Sequence, residues 1–412
     1  MTTPSDPEEQ QPSSALAPLP PFRPDLYQRA WLSIPHPTLP LLATAHATSV
    51  TIFSLATLTQ HSTLTGGHAR SVRSVAWQPH TAANTLRLVT GSFDATAGVW
   101  SHRDKSQSTL EQDVSAGDDD DGDEWEFNLV LEGHDNEIKS CAFNPAGNLL
   151  ATCSRDKSIW IWEDVGAGGD DDEEGGDWET VVVLQEHDAD VKAIAWCPDV
   201  RGRNEARGVF SVEVLASASY DDTVRIWREE DGEGEWACVA VLEGGGGTVW
   251  ALAWEGRDTG RFPRLVTASA DGGVRVWEKE VAEEDEDEVP PGAGSNPWGA
   301  IPGTVRREMR EEWTCKGVLP RVHTRDVYSV AWSAETGMVA TTGSDGVVAL
   351  YREEEDGWKL VGKVEEAHGP YEVNHVTWCK RWDAGTERKG EEEMLVTTGD
   401  DGVVRPWQVR IA

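Results

Sequence analysis

The chain has 412 residues, with 36 lysines and arginines against 73 aspartates and glutamates, and its formal net charge is −37. This acidic balance argues against direct binding of nucleic acid or of an anionic membrane, because both require a cationic surface. No apolar run approaches the roughly 20 residues that span a bilayer, and the polar N-terminus lacks the pattern of a signal peptide, so we expect a soluble protein that is not exported.

The first 14 residues, MTTPSDPEEQQPSS, are polar and rich in proline, and we predict a disordered tail there. From residue 15 to residue 412 one pattern recurs. Each copy has apolar residues at alternate positions up to an aromatic residue, then a β-rich run, a turn and an aromatic ending. In chain order the copies read AWLSIPH with LLATAHATSVTIF, GHARSVRSVAW with LVTGSFDATAGVW, GHDNEIKSCAF with LATCSRDKSIWIW, EHDADVKAIAW with LASASYDDTVRIW, GGGGTVWALAW with LVTASADGGVRVW, VHTRDVYSVAW with VATTGSDGVVALY, and AHGPYEVNHVTW with LVTTGDDGVVRPW.

These seven copies resemble the WD40 family, in which each repeat forms one four-stranded blade of a β-propeller. The resemblance predicts an all-β, seven-bladed propeller as a single domain over 15–412. A circular array must close, or it leaves an exposed strand edge. In this family an N-terminal segment supplies the outer strand of the last blade, so we expect residues near 15–23 to close the ring.

Five copies contain a repeating histidine and a turn aspartate. The pairs are His68 with Asp94, His134 with Asp156, His187 with Asp221, His323 with Asp345, and His368 with Asp401. A hydrogen bond within each pair would leave neither group buried without a partner. One pair per blade indicates structural bracing rather than catalytic dyads, and we predict that the protein is not an enzyme. The fifth copy has glycines at 244–247 in place of the histidine, and the first lacks the aspartate, so both blades should be less braced.

Acidic insertions make the blades unequal in length. They lie near 102–126, 164–177, 229–235 and 278–310, and each follows the terminal tryptophan of its copy. In a WD40 propeller that position lies between the third and fourth strands, on one face of the disc. We interpret the insertions as solvated, disordered loops, and a docking site for a basic partner is the alternative.

The opposite face carries the candidate binding residues. In WD40 propellers it is built by the residue before the turn aspartate and by the residue after the first core position of the innermost strand. Here these positions include four cations and four aromatic residues: Arg73, Lys139, Arg155, Lys192, Phe93, Tyr220, Trp250 and Tyr328. Such a surface suits a partner that presents a carboxylate and an aromatic side chain. The alternative is that the long cationic stems cover the face and pair with Glu137 and Asp190.

The six cysteines form no closely spaced set with one another or with histidine. They are Cys141, Cys153, Cys197, Cys238, Cys315 and Cys379. We therefore expect reduced, mostly buried thiols, and we predict neither a metal site nor a cofactor.

Several strings are similar to those of one WD40 subfamily, the cytosolic iron-sulfur protein assembly proteins. They are HARSVRSVAWQPH, GSFDATAGVW, LATCSRDKSIWIWE, VLQEHDADVK, ASYDDTVRIW, WACVAVL, GTVW, DGVVALY and HGPYEVNHVTW, and they fall in copies two to seven. The resemblance implies a non-enzymatic scaffold that helps deliver iron-sulfur clusters to cytosolic and nuclear apo-proteins. The arginine of the family's SRDKS motif, a functional surface position, matches Arg155. The acidic insertions and the weak first copy depart from the family pattern.

The same resemblance implies the partners. They are a MIP18-family protein, a large HEAT-repeat adaptor of the targeting complex, an iron-only-hydrogenase-like cluster carrier, and apo iron-sulfur client proteins, some of which present a C-terminal tail ending in an acidic and an aromatic residue. The chain itself would act as a monomer within this hetero-complex, in the cytoplasm and also in the nucleus.

Three other functions stay open at this stage. A ubiquitin-ligase substrate receptor or a chromatin adaptor would use the same fold, but typically carries a further recruitment module. A propeller enzyme would need titratable groups that converge at the central funnel. Direct metal binding would have to use the acidic loops or the scattered cysteines.

Overall fold

The structure is a computed structural model, and it describes residues 15–81, 84–103, 125–166, 177–198, 210–230, 235–280 and 310–410. These residues form seven antiparallel sheets of four strands each, and no helix occurs among them. The predicted seven-bladed, all-β propeller is confirmed. The predicted tail over 1–14 and most of each acidic insertion lie outside the described residues.

We name the four strands of a blade a to d, from the innermost strand outward. A first strand, β1 (Leu16–Pro18), precedes blade 1. Blade 1 contains β2 (Ala30–Pro35), β3 (Leu41–His46), β4 (Ser49–Ser54) and β5 (Thr59–Leu64). Blade 2 contains β6 (Val72–Trp77), β7 (Thr85–Ser92), β8 (Ala97–Arg103) and β9 (Glu126–Leu131). Blade 3 contains β10 (Ile138–Phe143), β11 (Leu149–Ser154), β12 (Ile159–Asp164) and β13 (Trp178–Leu184).

The remaining blades follow the same order. Blade 4 contains β14 (Val191–Trp196), β15 (Phe210–Ser219), β16 (Thr223–Glu230) and β17 (Trp236–Glu243). Blade 5 contains β18 (Val249–Trp254), β19 (Leu265–Ser269), β20 (Val274–Lys279) and β21 (Trp313–Val318). Blade 6 contains β22 (Val327–Trp332), β23 (Val339–Gly343), β24 (Val348–Glu354) and β25 (Gly357–Val364), and the short β26 (Ala367–Pro370) follows it. Blade 7 contains β27 (Val373–Lys380), β28 (Glu393–Gly399) and β29 (Val404–Val409), with β1 as its fourth strand.

The strand β1 closes the ring. It pairs antiparallel with β29, with Leu16 opposite Val409. The N–H of Arg410 donates a further backbone hydrogen bond to the Ala15 carbonyl at 2.8 Å. Leu16 is only 3% exposed, so the contact adds apolar burial as well as backbone pairing. The expected closure is confirmed, and its regular part is a strand of three residues within the expected 15–23.

The hydrophobic core lies between adjacent blades, and tryptophans at the ends of the a strands tie neighbouring blades together. The Nε1–H of Trp196 donates to the Ala142 carbonyl of the preceding blade at 3.0 Å. Equivalent hydrogen bonds join Trp77 to Ile34 (3.1 Å), Trp254 to Ala195 (2.9 Å) and Trp378 to Ala331 (3.2 Å). The repeat therefore uses tryptophan because one side chain fills the space between blades and satisfies a backbone acceptor there.

The repeating histidines belong to chains of buried hydrogen bonds. In blade 4, Trp227 Nε1 lies 2.9 Å from Ser217 Oγ, which lies 2.7 Å from His187 Nε2, and His187 Nδ1 lies 2.8 Å from Asp221 Oδ2. Because a carboxylate only accepts, Nδ1 carries the imidazole proton, Nε2 accepts from the hydroxyl, and the hydroxyl oxygen accepts from the indole. The other pairs are His68 with Asp94 (3.1 Å), His134 with Asp156 (2.8 Å), His323 with Asp345 (3.0 Å) and His368 with Asp401 (2.8 Å).

Blade 5 replaces the histidine with an arginine, contrary to the expectation that its turn is less braced. Arg275 Nη2 lies 2.6 Å from Asp271 Oδ2, and Arg275 Nη1 lies 3.1 Å from Ser269 Oγ. The guanidinium occupies the space above Gly245, where a Cβ atom would collide with it. The glycine run therefore makes room for the arginine side chain, which reaches the aspartate from strand c, whereas the histidine of blades 2 to 4, 6 and 7 reaches it from the loop before strand a.

The b-c turns and the strand ends that flank the acidic insertions lie at opposite faces of the disc. The b-c turns with the aspartates lie at the same face as the starts of the a strands, since Val72 pairs with Ser92. The ends of the c strands lie at the other face, since Trp100 pairs with Leu88, which pairs with Trp77. Each acidic insertion connects a c strand to a d strand in blades 2 to 5, so the described strands that flank it end at the face opposite the aspartates.

Candidate partner-binding surface

A β-bulge occurs near the start of the innermost strand in every blade. In β6, Val72 pairs with Ser92 and Ser74 with Gly91, so Arg73 has no residue opposite it. A bulge re-aims the side chain of the extra residue. The residues skipped in this way are Trp31, Arg73, Lys139, Lys192, Trp250, Tyr328 and Asn374. Five of the eight predicted site residues therefore occupy one equivalent backbone position.

The bulges open onto a central channel of about 480 Å³. All the skipped residues except Trp31 line it, together with the a-strand residues that follow them. The predicted residues Arg73, Lys139, Lys192, Trp250 and Tyr328 thus ring one mouth of the channel, at the face that carries the turn aspartates.

The three other predicted residues stand on the b-c turns, beside these bulges. Their backbone N–H groups donate to carbonyls at or just before the start of strand a of their own blade. The hydrogen bonds run from Phe93 to Ser71 (2.9 Å), from Arg155 to Glu137 (3.0 Å) and from Tyr220 to Asp190 (2.9 Å). This backbone link holds each turn residue next to the channel mouth.

In blades 1 to 3, cations alternate with aromatic rings around the mouth. The Arg73 guanidinium carbon lies 5.0 Å from the centroid of the Trp31 ring, and Lys139 Nζ lies 4.5 Å from that of Phe93. The Trp31 and Phe93 rings meet edge to face at 5.8 Å. Cation-π attraction and ring packing therefore join these residues into one surface.

In blades 4 to 6, one lysine lies between two aromatic rings, and a third ring follows. Lys192 Nζ lies 5.2 Å from the Tyr220 ring centroid and 5.3 Å from that of Trp250. Trp250 meets Tyr328 edge to face at 5.4 Å, and its Nε1–H donates to Asp326 at 3.0 Å. The indole is thus fixed on both sides.

Two carboxylates, Glu137 and Asp190, form close ion pairs with some of these cations and only distant ones with Arg155. Lys139 Nζ lies 2.7 Å from Glu137, and Lys192 Nζ lies 3.0 Å from Asp190. Arg155 lies between the same two acids, at 3.8 and 4.0 Å, and its side chain is 54% exposed. The structure brings all eight predicted residues to one face, but the lysines are paired as the alternative interpretation expects. Arg155 is the exposed cation with the weakest contacts of this group.

The pKa values of Lys139 and Glu137 are both lowered, as expected where several cations lie close together. Burial lowers the pKa of Lys139, and the charges of Lys192 and Arg73 lower it further, against the opposing effect of Glu137. Burial alone would raise the pKa of Glu137, but the nearby cations, Lys139 first, bring it below its usual value. An added anion would relieve the repulsion among these cations.

Residues outside the predicted set complete this surface. Arg29 lies 4.8 Å from the Trp31 ring centroid, and it forms an ion pair with Asp400. Trp31 could have been predicted as a member of this surface, because it directly follows the first core residue of strand a, as five of the predicted residues do in their own blades. The degenerate first copy, which has no turn aspartate, concealed that equivalence.

The described residues contain no group of three or more histidines, cysteines, aspartates or glutamates that could hold a metal ion. Four of the six cysteines are buried, Cys238 is partly buried and Cys315 is exposed, and all six are free thiols. The described part of the chain also contains no helical segment with the length and hydropathy that a membrane span requires.

Comparison with known proteins gives a consistent result. The family model for the WD domain, G-beta repeat, matches residues 53–101, 125–163, 178–228, 236–278 and 313–352. The chain is 58% identical to the probable cytosolic iron-sulfur protein assembly protein 1 of Chaetomium globosum, with 100% of this chain and 99% of the relative covered. It is 56% identical to the protein of the same name from Neurospora crassa, over 97% of this chain and 96% of the relative, and 55% identical to that of Pyricularia oryzae, over 94% and 95%.

Proposed function

Because the chain belongs to the WD40-repeat family of cytosolic iron-sulfur protein assembly proteins, we propose that it is a non-enzymatic scaffold that helps deliver iron-sulfur clusters to cytosolic and nuclear apo-proteins. Similarity along the full length to relatives of that name carries the proposal. The surface around the channel mouth supports it, because cations and aromatic residues converge there on rigid turns and strands.

The partners in this proposal are those that the family resemblance implies. They are a MIP18-family protein, a HEAT-repeat adaptor, an iron-only-hydrogenase-like cluster carrier and apo iron-sulfur clients. The chain would work as one copy within the hetero-complex, mainly in the cytoplasm and also in the nucleus. In this proposal the clusters are cargo on other proteins, and the chain supplies only binding surface.

Arg155 is the centre of the proposed contact. Its side chain is 54% exposed, and its guanidinium stands between Glu137 and Asp190 at distances too long for a strong hydrogen bond. A partner carboxylate can therefore take a bidentate hydrogen bond from it without first breaking an internal one. Phe93 and Tyr220 flank Arg155 on the neighbouring blades and would receive an aromatic side chain.

The test is affinity purification from cytosolic extract with the intact chain and with Arg155→Glu, followed by mass spectrometry. We expect the intact chain to recover the MIP18-family and HEAT-repeat proteins, and the charge reversal to reduce recovery of partners or clients at least tenfold. The substitution should change the free energy of unfolding by no more than about 0.5 kcal/mol, because the side chain lies at an exposed turn.

The matched control is Arg352→Glu, since Arg352 is also an exposed arginine (43%) and lies on the c strand of blade 6, away from the channel mouth. It should leave recovery unchanged. Recovery of ubiquitin-ligase or chromatin subunits in place of the iron-sulfur assembly proteins would refute the proposed pathway. Equal recovery with Arg155→Glu would refute the assignment of this surface.

A further inference from the structure

Arg73 differs from the other cations around the channel mouth in having no acidic partner. Lys139 is paired with Glu137, Lys192 with Asp190, and Arg29 with Asp400. Within the described part of the chain, no atom accepts a hydrogen bond from the Arg73 guanidinium, which only stacks on Trp31 at 5.0 Å. A partly buried guanidinium, with five donors, is normally paired.

The location of Arg73 separates it from Arg155. Arg73 is the bulged residue of the innermost strand in blade 2 and lines the channel, whereas Arg155 stands at the exposed rim. Burial lowers the pKa of Arg73 to about 10, Cys153 acts in the opposite direction and the charge of Arg29 adds a smaller lowering effect, so Arg73 remains a cation at neutral pH. Its N–H groups are not among the buried polar atoms that are sealed without a partner, so they are open to the channel.

A second donor lines the same channel. His375 follows the bulge of blade 7, and its Nδ1 accepts a long hydrogen bond (3.5 Å) from the backbone N–H of Ser33. Burial and the charge of Arg73 lower the pKa of His375 to about 3, so the ring is neutral and carries its proton on Nε2. Neighbouring Trp250 and Tyr328 add aromatic surface to the channel wall.

We propose that the central channel binds a small oxyanion, such as a carboxylate or a phosphate, with Arg73 as its main partner and His375 as a second hydrogen-bond donor. The channel, at about 480 Å³, has the volume of a small-molecule site. The bound anion supplies the acceptor that Arg73 lacks within the described residues. The oxyanion is either free in solution or the carboxylate of a partner. This site does not depend on the proposed scaffold function, because the purified chain alone should bind the anion.

The test is to titrate the purified full-length chain with three probes and to measure the binding of each probe by ligand-observed NMR. Inorganic phosphate represents a free anion. N-acetyl-tryptophan represents the carboxyl terminus of a partner, and N-acetyl-tryptophanamide is the same molecule without the carboxylate. We expect at least one of the two anions to bind. Where the acid binds, the amide should bind at least tenfold more weakly.

Arg73→Gln should weaken anion binding by about 10- to 100-fold, the range expected for loss of a charge-assisted hydrogen bond. The matched control is Arg29→Gln, which removes the same charge over the same ring but from a guanidinium that Asp400 already holds. It should change binding less than threefold. Melting curves of both variants establish that they are folded. If Arg73→Gln does not fold, Arg73→Lys replaces it and should weaken binding, because it keeps the charge but loses the bidentate geometry.

The outcomes separate the sources of the anion. Binding of phosphate that depends on Arg73 supports a free anion, and binding of the aromatic acid alone supports a partner's carboxylate. The proposal is overturned if neither anion binds the intact chain, or if the Arg73 variant binds as tightly as the intact chain does. Neither result would bear on partner capture through Arg155.

Discussion

The turn aspartates show how single residues carry the stability of this propeller. In blade 3, burial alone would raise the pKa of Asp156, but hydrogen bonds from His134 and Ser158 outweigh it and lower the pKa from 3.8 to about 2. The pKa values of Asp94, Asp345 and Asp401 are lowered in the same way by their histidines and by nearby hydroxyl or backbone donors. Each aspartate is therefore more acidic in the folded chain than in the unfolded chain.

Acid should destabilise the fold through these groups. A carboxyl group whose pKa is lowered on folding stabilises the protein above its unfolded pKa, and the contribution is lost as the pH falls through the folded value. For Asp156 the shift corresponds to about 2 kcal/mol, which is lost between about pH 4 and pH 2. Urea unfolding of the intact chain and of Asp156→Asn should differ at pH 7 and converge as the pH approaches 2. An equal difference at both pH values would contradict this.

At the scale of the element, the b-c turns of blades 2 to 7 place the residue after the aspartate in the left-handed region. Three blades have glycine there, at Gly272, Gly346 and Gly402, with φ between 70° and 75°. Ala95, Lys157 and Asp222 have φ of 72°, 74° and 67° at the equivalent positions. A side chain in this region costs roughly 1–2 kcal/mol, so blades 2 to 4 keep the turn at a cost in stability.

Ala95→Gly should therefore stabilise the protein, by about 0.5–1 kcal/mol, because the strain relieved exceeds the extra freedom that glycine gives the unfolded chain. Gly346→Ala should have the opposite sign, since its φ is 74° and a Cβ there would lie 3.3 Å from the Tyr371 carbonyl oxygen. Differential scanning calorimetry of the two variants checks the pair. A change of the same sign in both would show that turn strain does not set these stabilities.

At the scale of the whole molecule, the short strand β1 holds the ring closed. Without it, β29 would become an open edge strand in blade 7, and the Leu16 side chain would be lost from the cluster that joins blades 6 and 7. Loss of this one buried leucine is worth about 2–5 kcal/mol by analogy with substitutions to alanine, apart from the backbone pairing.

Removal of residues 1–18 should lower the melting temperature and promote aggregation through the open edge. Removal of residues 1–13 is the matched control, because it leaves β1 and the Ala15 carbonyl in place, and it should leave the melting temperature unchanged. Thermal denaturation followed by circular dichroism and light scattering distinguishes the two. Equal stability of both truncations would mean that β1 does not secure the closure.

The candidate surface could be predicted from the repeat, since equivalent positions in a repeat occupy equivalent places in the ring. The sequence places acids two positions before Lys139 and Lys192, namely Glu137 and Asp190, but a serine, Ser71, two positions before Arg73. The sequence therefore allows the lysine ion pairs, and the structure shows that they form, whereas Arg73 stacks on Trp31. Likewise Arg275 replaces a histidine across space from strand c, which a comparison of aligned repeat positions does not show.

The sequence by itself determined the all-β class, the number of blades and the segment that closes the ring. The seven copies and their alternating pattern are read from the sequence directly, and the propeller with its closing segment follows from the resemblance of those copies to the WD40 family. Each blade is built mainly from residues that are close in sequence. Only the tertiary structure decided that Arg73 stacks on Trp31 without an acidic partner, and that cations and aromatic rings from different blades meet around the channel mouth. Those features arise where seven innermost strands meet around one channel, between residues up to hundreds of positions apart, and the physical reason is that distance and burial set the electrostatics of each group there.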